Sequence, residues 1–268
     1  MTSEARLVRL DVGADGIARV TLDRAAARNA LNLPMCLELR EAFAALDRDA
    51  SVRVVLLSAS GPVFCAGADL KERQGKDEAW VKQRREASFA AYETIEKCRK
   101  PVVAVVQGPV VGSGGEIAMS CDFIVASTKA SFRFPEPQWG TVGATQRLQR
   151  VIGKSRAKEL LFTGREMPIA EAHTLGLVAR VVEPDALEDT AQAIAAAIAK
   201  APALAMELTK QAIELGSKTD LASGIRIEMA AIEHNLASGD WKRGVAAFAD
   251  TVGKGEGKDK AKPQDGDK

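Results

Sequence analysis

The sequence has few of the residues from which metal centres, disulfide frameworks and base-stacking surfaces are built. Its 268 residues include two histidines, four cysteines and only 4% aromatic residues. Scattered cysteines without a CxxC pair favour free thiols in a cytoplasmic protein, and no histidine–cysteine cluster has the spacing of a metal site. Few aromatic residues disfavour a surface for single-stranded nucleic acid. The formal net charge of +1 provides no field that would attract nucleic acid or a membrane.

Long apolar segments are also missing. No apolar run approaches the roughly 20 residues that span a bilayer, and the N-terminus lacks the apolar region of a signal peptide. Hydrophobic residues make up 46% of the chain and charged residues 27%, which is ordinary for a globular protein. We therefore expect one sizeable core, with or without a small appended domain, and no membrane partner.

Strand-like and helix-like patterns alternate through the first half of the chain. Short apolar segments predict a hairpin and then buried strands, at 7–12, 17–22, 52–57, 101–107 and 123–126. Apolar residues at helical spacing predict intervening helices, at 33–47, 75–99 and 116–121. Strands and helices that alternate at such short intervals predict an α/β fold.

The C-terminal third is predicted to be mostly helical. Residues 203–216 and 221–249 have the pattern of two amphipathic helices. The last stretch, 253–268, contains glycine, lysine, aspartate and proline and no large apolar residue, which predicts disorder or loose attachment. We therefore divide the chain into a core at 1–200, a helical oligomerisation region at 201–250 and a tail at 251–268.

A glycine-rich run, Gly-Ser-Gly-Gly-Glu at 112–116, lies between a predicted strand and a predicted helix. It is not a phosphate loop, because no GK[ST] follows, and Ile117 replaces the third glycine of a dinucleotide fingerprint. It differs from a nucleophile elbow around Ser113, because Val111 replaces the first glycine. Glu116 falls in the first turn of the predicted helix, where the helix dipole favours an ionised carboxylate.

Two further segments carry groups suited to acyl chemistry. Glu136 lies between two prolines, which stiffen the loop and fix its direction. In the segment 64–71, the small residues Gly67 and Ala68 precede a helix expected to begin at Asp69, so their N–H groups would be unpaired donors at a helix start. Backbone donors of this kind stabilise an oxyanion, and a pair of carboxylates can move protons beside it.

These segments resemble the enoyl-CoA hydratase/isomerase (crotonase) family, and the resemblance runs from Ile17 to Phe248. It implies a spiral of repeated ββα units, with C-terminal helices that form a trimer or a dimer of trimers. It also implies an oxyanion hole made by the backbone N–H groups of Ala68 and Ser113, although Ser113 stands where the family usually has glycine.

The resemblance favours the two-glutamate hydratases within this family. Glu116 would activate water and Glu136 would protonate the α-carbon of an enoyl-CoA thioester. Coenzyme A would be part of the substrate, and no separate cofactor or metal is expected.

The resemblance also implies where the substrate lies. Residues placed beside bound coenzyme A are Arg28, Ala66, Asp69, Leu70 and Lys71, with Arg28 a partner for a phosphate. The turn between Gly140 and Thr145 is shorter than the family's usual glycine-rich turn, and Trp139 precedes it. We expect Trp139 to limit the acyl pocket.

Other functions remain open from the sequence. A double-bond isomerase or a thioester hydrolase would use the same scaffold. A serine hydrolase using Ser113 would need a histidine partner, and neither His173 nor His234 lies in a catalytic motif. A non-catalytic scaffold that binds acyl-CoA or RNA is disfavoured by the near-neutral charge and the two glutamates. The identity of the acyl group is not encoded in any motif.

Overall fold

The structure is a computed structural model that describes residues 6–239, 241, 242 and 244–246. The strands are β1 Val8–Val12, β2 Ile17–Leu22, β3 Val54–Ala59, β4 Val102–Val106, β5 Val110–Val111, β6 Phe123–Ser127, β7 Ser131–Arg133, β8 Glu166–Pro168 and β9 Arg180–Val182. The helices are α1 Leu33–Arg48, α2 Glu78–Glu96, α3 Ser113–Met119, α4 Arg147–Ile152, α5 Lys154–Thr163, α6 Ile169–Thr174, α7 Leu187–Lys200, α8 Ala203–Gly216 and α9 Leu221–Ser238.

A six-stranded sheet with the order β1-β2-β3-β4-β6-β9 forms the centre of the first part of the chain. Strands β1 and β2 are the predicted antiparallel hairpin, and the other neighbours pair in parallel. All five residues of β4 are buried. Parallel strands covered on both faces have this continuous apolar character, which explains why their sequences read as plain valine-rich runs.

A second sheet of three strands, β5-β7-β8, lies beside the first. Strand β4 belongs to the large sheet and β5 to the small one, and α3 follows them; β6, β7 and α4 repeat this order. The chain therefore advances in ββα units, each of which adds one strand to each sheet. The segments that follow the strands of the small sheet, including the start of α3, therefore lie close together.

Helices cover the large sheet and complete the core. Helix α1 buries a stripe spaced along one face, formed by Met35, Cys36, Leu39, Phe43 and Leu46. Helix α7 buries Leu187, Ala191 and Ala195 in a second cluster that includes Val54 and Val103. The alanines on α7 let the helix approach the valine-rich strands closely.

Two compact units divide the chain, the first ending at Lys200 and the second beginning at Ala201. In the second unit, α8 and α9 pack against each other. Helix α9 leaves apolar side chains exposed, namely Leu221, Ile225, Met229, Ile232 and Leu236. The predicted tail at 251–268 lies outside the described residues.

Several helix boundaries differ from the sequence prediction, and α9 ends at Ser238, well before the predicted end at 249. No helix begins at Asp69, because the backbone of 67–69 pairs with Leu31 and the following residues form turns. The Asp69 carboxylate accepts the Lys71 N–H and pairs with Arg24, so it does not cap a helix. Helix α3 begins at Ser113, three residues before the predicted start at Glu116. Its glycines allow close packing there, which outweighs their low helix propensity.

Within the described residues, no single helix is long and apolar enough to cross a membrane. Two consecutive helical segments, Pro184–Lys200 and Ala203–Gly216, pass that test only when taken together as a bent pair.

The buried Asn29 side chain bonds three backbone groups, one nearby in the chain and two in a distant loop, which generates a stability prediction. Its Nδ2 donates to the carbonyls of Ser60 and Val63, and its Oδ1 accepts the Arg24 N–H, all at 2.8 Å. Asn29→Ala leaves these groups without their partner and places alanine at a φ of 53°, so we expect a loss of about 3 kcal/mol.

Denaturant unfolding measures this loss, with Asn32→Ala as the matched control. The Asn32 side chain does not link distant segments in this way. It accepts a single N–H, from Met35, at the start of α1. Its loss should cost about 1 kcal/mol. Equal destabilisation by the two variants would contradict a bridging role for Asn29.

Candidate active site

A narrow cleft in the first unit brings together segments that are far apart in sequence. Its free volume is about 30 Å³, and it is lined by Gly67, Ala68, Leu70, Arg73, Arg85, Val111, Gly112, Ser113, Pro135, Glu136, Trp139 and Thr141. Leu70 and Trp139 are 45% and 53% exposed. Because the cleft is so narrow, exposed side chains of this kind must move for an acyl group to enter.

The backbone at Ala68 presents one unpaired donor to the cleft. The Leu31 N–H donates to Gly67 O at 2.8 Å, and the Asp69 N–H donates to Leu31 O at 2.9 Å. The Ala68 N–H between them has no protein acceptor among the described residues. Because successive groups of an extended backbone point to opposite sides, pairing on both sides of Ala68 leaves its N–H directed away from Leu31.

The second donor lies at the start of α3. Gly112 has a φ of +49°, and its carbonyl accepts the N–H groups of Gly115 and Glu116. The Ser113 N–H belongs to the first turn, where helix donors have no partner in the helix. The positive φ falls on Gly112 and not on Ser113. Serine is therefore accommodated at a position where the family usually has glycine.

Glu136 is a buried carboxyl group without a full set of partners. It is 8% exposed, and its Oε2 atom is buried without a hydrogen-bond partner among the described residues. Burial raises the pKa of Glu136, and the nearby charge of Glu116 adds to the rise. A Cβ atom built on Gly112 would lie 2.8 Å from Glu136 Oε1, and one on Gly143 would lie 2.9 Å from its Cγ. Glycine is therefore needed on both sides of this side chain.

Glu116 has the opposite surroundings. Its Oε1 accepts the Ala144 N–H at 2.7 Å, and its Oε2 pairs with Arg147 Nη1 at 2.9 Å. Arg147 also pairs with Glu96 at 2.9 Å and lies over the Tyr92 ring. These charge-assisted contacts fix the orientation of the Glu116 carboxylate. Glu116 is buried and does not belong to the cleft lining, so its carboxylate lies behind that lining.

The short turn after Gly140 contacts both glutamates. Gly143 packs against Glu136, and the next residue, Ala144, donates its N–H to Glu116. Ala144 has a φ of 54°, an uncommon conformation for a residue with a side chain. The turn whose length departs from the family pattern therefore sets the position of both carboxylates.

The other residues predicted to bind substrate are distributed around the cleft. Leu70 and Trp139 line it together with Ala68 and Ser113, whereas Ala66, Asp69 and Lys71 are chain neighbours of that lining. The Ala66 N–H donates to the Arg28 carbonyl at 3.0 Å. Arg28 and Lys71 are exposed, and Asp69 faces Arg24 at 2.6 Å.

Sequence reasoning missed four polar residues at or behind the cleft: Arg73, Arg85, Thr141 and Arg147. Arg73 and Arg85 belong to a highly charged stretch whose pattern is typical of a solvated surface, and Arg147 lies outside the glycine-rich and glutamate motifs. A signal existed only for Arg147, because it lies next to the shortened turn.

Two alternative chemistries find no support in the arrangement. The described residues contain no group of three or more His, Cys, Asp or Glu side chains that could hold a metal ion. The Ser113 side chain lies near the Tyr92 hydroxyl, and both histidines are exposed on helices α6 and α9. Ser113 thus lacks the histidine that would activate a serine nucleophile.

The profile of the enoyl-CoA hydratase/isomerase family matches residues 13–255. A Rhizobium meliloti protein named a probable enoyl-CoA hydratase is 40% identical over 235 residues, which cover 87% of this chain and 91% of that protein. The chain therefore belongs to the enoyl-CoA hydratase/isomerase family, as the sequence motifs predicted, and is an enzyme of that family.

Solved structures agree with this assignment. The enoyl-CoA hydratase of Bacillus anthracis superposes with a TM-score of 0.89 at 35% identity, covering 91% of this chain and 96% of that one. A Thermobifida fusca chain solved in complex with CoA has a TM-score of 0.81 at 30% identity, covering 87% and 94%. The α/β architecture is the crotonase fold that the resemblance implied.

The raised pKa of Glu136 predicts that this residue lowers stability at neutral pH. A carboxyl whose pKa is higher in the folded state binds its proton more tightly there, so stability falls as pH rises from the ordinary glutamate pKa through the folded value. Glu136→Gln removes that charge. We expect the midpoint of thermal unfolding to rise by up to a few degrees at neutral pH.

Thermal unfolding across a pH series checks this prediction. The difference between Glu136→Gln and wild type should close as pH falls well below about 4, where wild-type Glu136 is protonated in both states. The exposed Glu86 provides the control, and Glu86→Gln should show no comparable rise. A variant less stable than wild type at neutral pH would contradict the assigned burial cost.

Proposed function

We propose that the protein hydrates a 2-enoyl-CoA thioester to a 3-hydroxyacyl-CoA, without a metal or redox cofactor, in the cytoplasm. The observation that carries this proposal is the cleft in which the Ala68 and Ser113 N–H groups lie beside an unpartnered glutamic acid, Glu136. The family assignment supports an acyl-CoA substrate.

The two backbone donors would bind the thioester oxygen. Addition of water at the β-carbon moves electrons into the carbonyl, whose oxygen becomes negative in the enolate-like transition state. Fixed N–H groups stabilise this charge without reorganising, and one such donor typically contributes about 3–4 kcal/mol. Both donors belong to backbone held by flanking hydrogen bonds, at Leu31 on one side and in the first turn of α3 on the other.

Glu136 would supply the proton to the α-carbon. Burial raises its pKa, so the carboxyl group retains a proton to a higher pH than an exposed glutamate does. Its Oε2 has no partner among the described residues, and the side chain lines the same cleft as the oxyanion donors. A proton on this oxygen is therefore free to be transferred to carbon.

Glu116 would accept a proton from the attacking water. Each carboxylate oxygen has two acceptor sites, so the contacts with Ala144 and Arg147 leave one acceptor site on each oxygen for water. The Arg147 ion pair holds the Glu116 carboxylate in place, as a positioned general base requires. The water would lie between Glu116 and the β-carbon.

A double-bond isomerase is the second candidate, because Glu116 lies behind the cleft lining and both of its oxygens already accept a bond. An isomerase would need a single carboxyl group, Glu136, to move a proton from one carbon to another. Product analysis separates a 3-hydroxyacyl-CoA from a shifted double bond.

Substitution of each glutamate tests the two-carboxylate mechanism. Glu116→Gln and Glu136→Gln should each lower kcat for hydration by about 100-fold or more, the usual effect of losing a positioned acid or base. Loss of absorbance from the conjugated enoyl thioester measures the rate. Thioester binding should persist, because the backbone donors remain.

The exposed Glu86→Gln serves as the control and should retain the wild-type rate. If Glu136→Gln hydrates normally, Glu136 is not the proton donor. If only Glu136→Gln loses activity and the product has a shifted double bond, the isomerase is the correct assignment.

We also propose that the chain forms a trimer or a dimer of trimers through its helical second unit. A groove of about 600 Å³ runs between α8 and α9, and the apolar side chains of α9 beside it are exposed, including Ile225 at 50%. A contiguous row of exposed apolar side chains such as this marks an interaction surface.

Light scattering at micromolar concentration measures the assembly. Wild type should have the mass of three or six chains, and Ile225→Asp should shift the mass toward the monomer, because a buried unpaired carboxylate opposes association. Glu233→Gln, which changes an exposed polar position of α9, should not. A monomeric wild type would contradict the proposal.

A further inference from the structure

Two arginines line the cleft beside the oxyanion donors and Glu136. Arg73 lies in the turn that follows Asp69, and Arg85 lies on α2. Arg85 Nη2 donates to Thr141 Oγ1 at 2.9 Å. The Arg73 side chain makes no hydrogen bond or ion pair with any described residue, and its Nε atom is buried. A hydrocarbon acyl chain would leave the Arg73 guanidinium without an anionic partner.

The charges around Arg73 do not balance. The nearby Arg84 is fully buried and pairs with Glu72 at 2.8 Å. That ion pair uses the carboxylate closest in sequence to Arg73. Burial lowers the pKa of Arg73, the charges of Arg84 and Arg85 lower it further, and the charge of Glu72 opposes this only in part. A partly buried guanidinium among other cations is costly without an anionic partner.

A carboxylate of the substrate would complete this group. We propose that the acyl group of the substrate ends in a carboxylate, which Arg73 binds with the help of Arg85. The planar guanidinium matches a carboxylate with two parallel hydrogen bonds. This inference rests on the proposed function, because it places the thioester carbonyl at Ala68 and Ser113 and the α-carbon at Glu136.

The acyl group, and not the coenzyme, is the better partner for these arginines. Arg85 is bonded to Thr141, which shares the loop of Glu136 and Trp139. That loop carries the group proposed to protonate the α-carbon, so the arginines lie on the acyl side of the cleft. Arg28 and Lys71 are exposed outside the cleft lining and are available to coenzyme phosphates.

Substrate preference of the wild-type enzyme is the first test. The probes are a short 2-enoyl-CoA whose acyl chain ends in a carboxylate and the matched thioester that ends in a neutral amide. We expect kcat/KM to be about 10-fold or more higher for the carboxylate probe, because a hydrogen bond to a charged group typically contributes at least this factor. Equal rates or a preference for the amide would overturn the inference while leaving hydration established. Turnover of neither probe would count against the proposed function itself.

Substitution of Arg73 is the second test. Arg73→Met should lower kcat/KM for the carboxylate probe by about 10- to 100-fold and change the amide probe little. Arg73→Lys should restore part of the rate, because it keeps the charge without the planar fork. Arg40→Met, an exposed change on α1, is the control and should affect neither probe.

Binding of free coenzyme A tests whether Arg73 contacts the coenzyme instead of the acyl carboxylate. If Arg73 binds the acyl carboxylate, Arg73→Met should bind coenzyme A with wild-type affinity. A parallel loss of affinity for coenzyme A and of activity on both probes would assign Arg73 to the coenzyme and overturn the inference. Thermal unfolding of each variant shows whether the fold is retained, and the wild-type preference decides the question if Arg73→Met does not fold.

Discussion

The close approach of the Glu136 side chain to the backbone at Gly112 is the contact on which the candidate site depends. Gly112 joins the small sheet through its N–H, which donates to Arg133 O at 2.8 Å, and its carbonyl accepts the first N–H groups of α3. The same residue therefore ends a strand, starts a helix and positions the Ser113 N–H. A side chain at Gly112 would meet the Glu136 carboxylate. Donor and acid are adjacent because no Cβ atom separates them.

The two glutamates differ through their surroundings and not through their residue type. Glu116 has a cation and a backbone donor, and each binds one of its carboxylate oxygens. Glu136 is buried and its Oε2 has no hydrogen-bond donor among the described residues. Burial therefore raises the pKa of Glu136. Opposite environments for two carboxyl groups at one site are the usual way in which one acts as a base and the other as an acid. Their mutual repulsion reinforces the difference, because an ionised Glu116 disfavours ionisation of Glu136.

The sequence was sufficient to predict the α/β class, the hairpin, the main strands and the two C-terminal helices, because each has a clear apolar period. It also brought forward Ala68, Ser113 and Glu136, which the structure gathers in one cleft. It wrongly predicted a helix start at Asp69. Aspartate favours such positions, but here its carboxylate pairs with Arg24 instead. Nor could the sequence separate Arg73 from the other charged residues around it. Which cation faces a cleft depends on how distant segments pack, and local pattern carries no information about that.

The short turn after Gly140 explains how the site tolerates its departure from the family pattern. A shorter connection must still span the distance between Glu136 and α4, and it does so with Ala144 in a left-handed conformation. That conformation directs the Ala144 N–H to Glu116, and α4 then begins with Arg147, whose guanidinium binds the other oxygen of the same carboxylate. The cost of an unfavourable backbone angle is thus offset by two hydrogen bonds to one charged group. Because the same turn packs Gly143 against Glu136, any change in its length would move both carboxyl groups together.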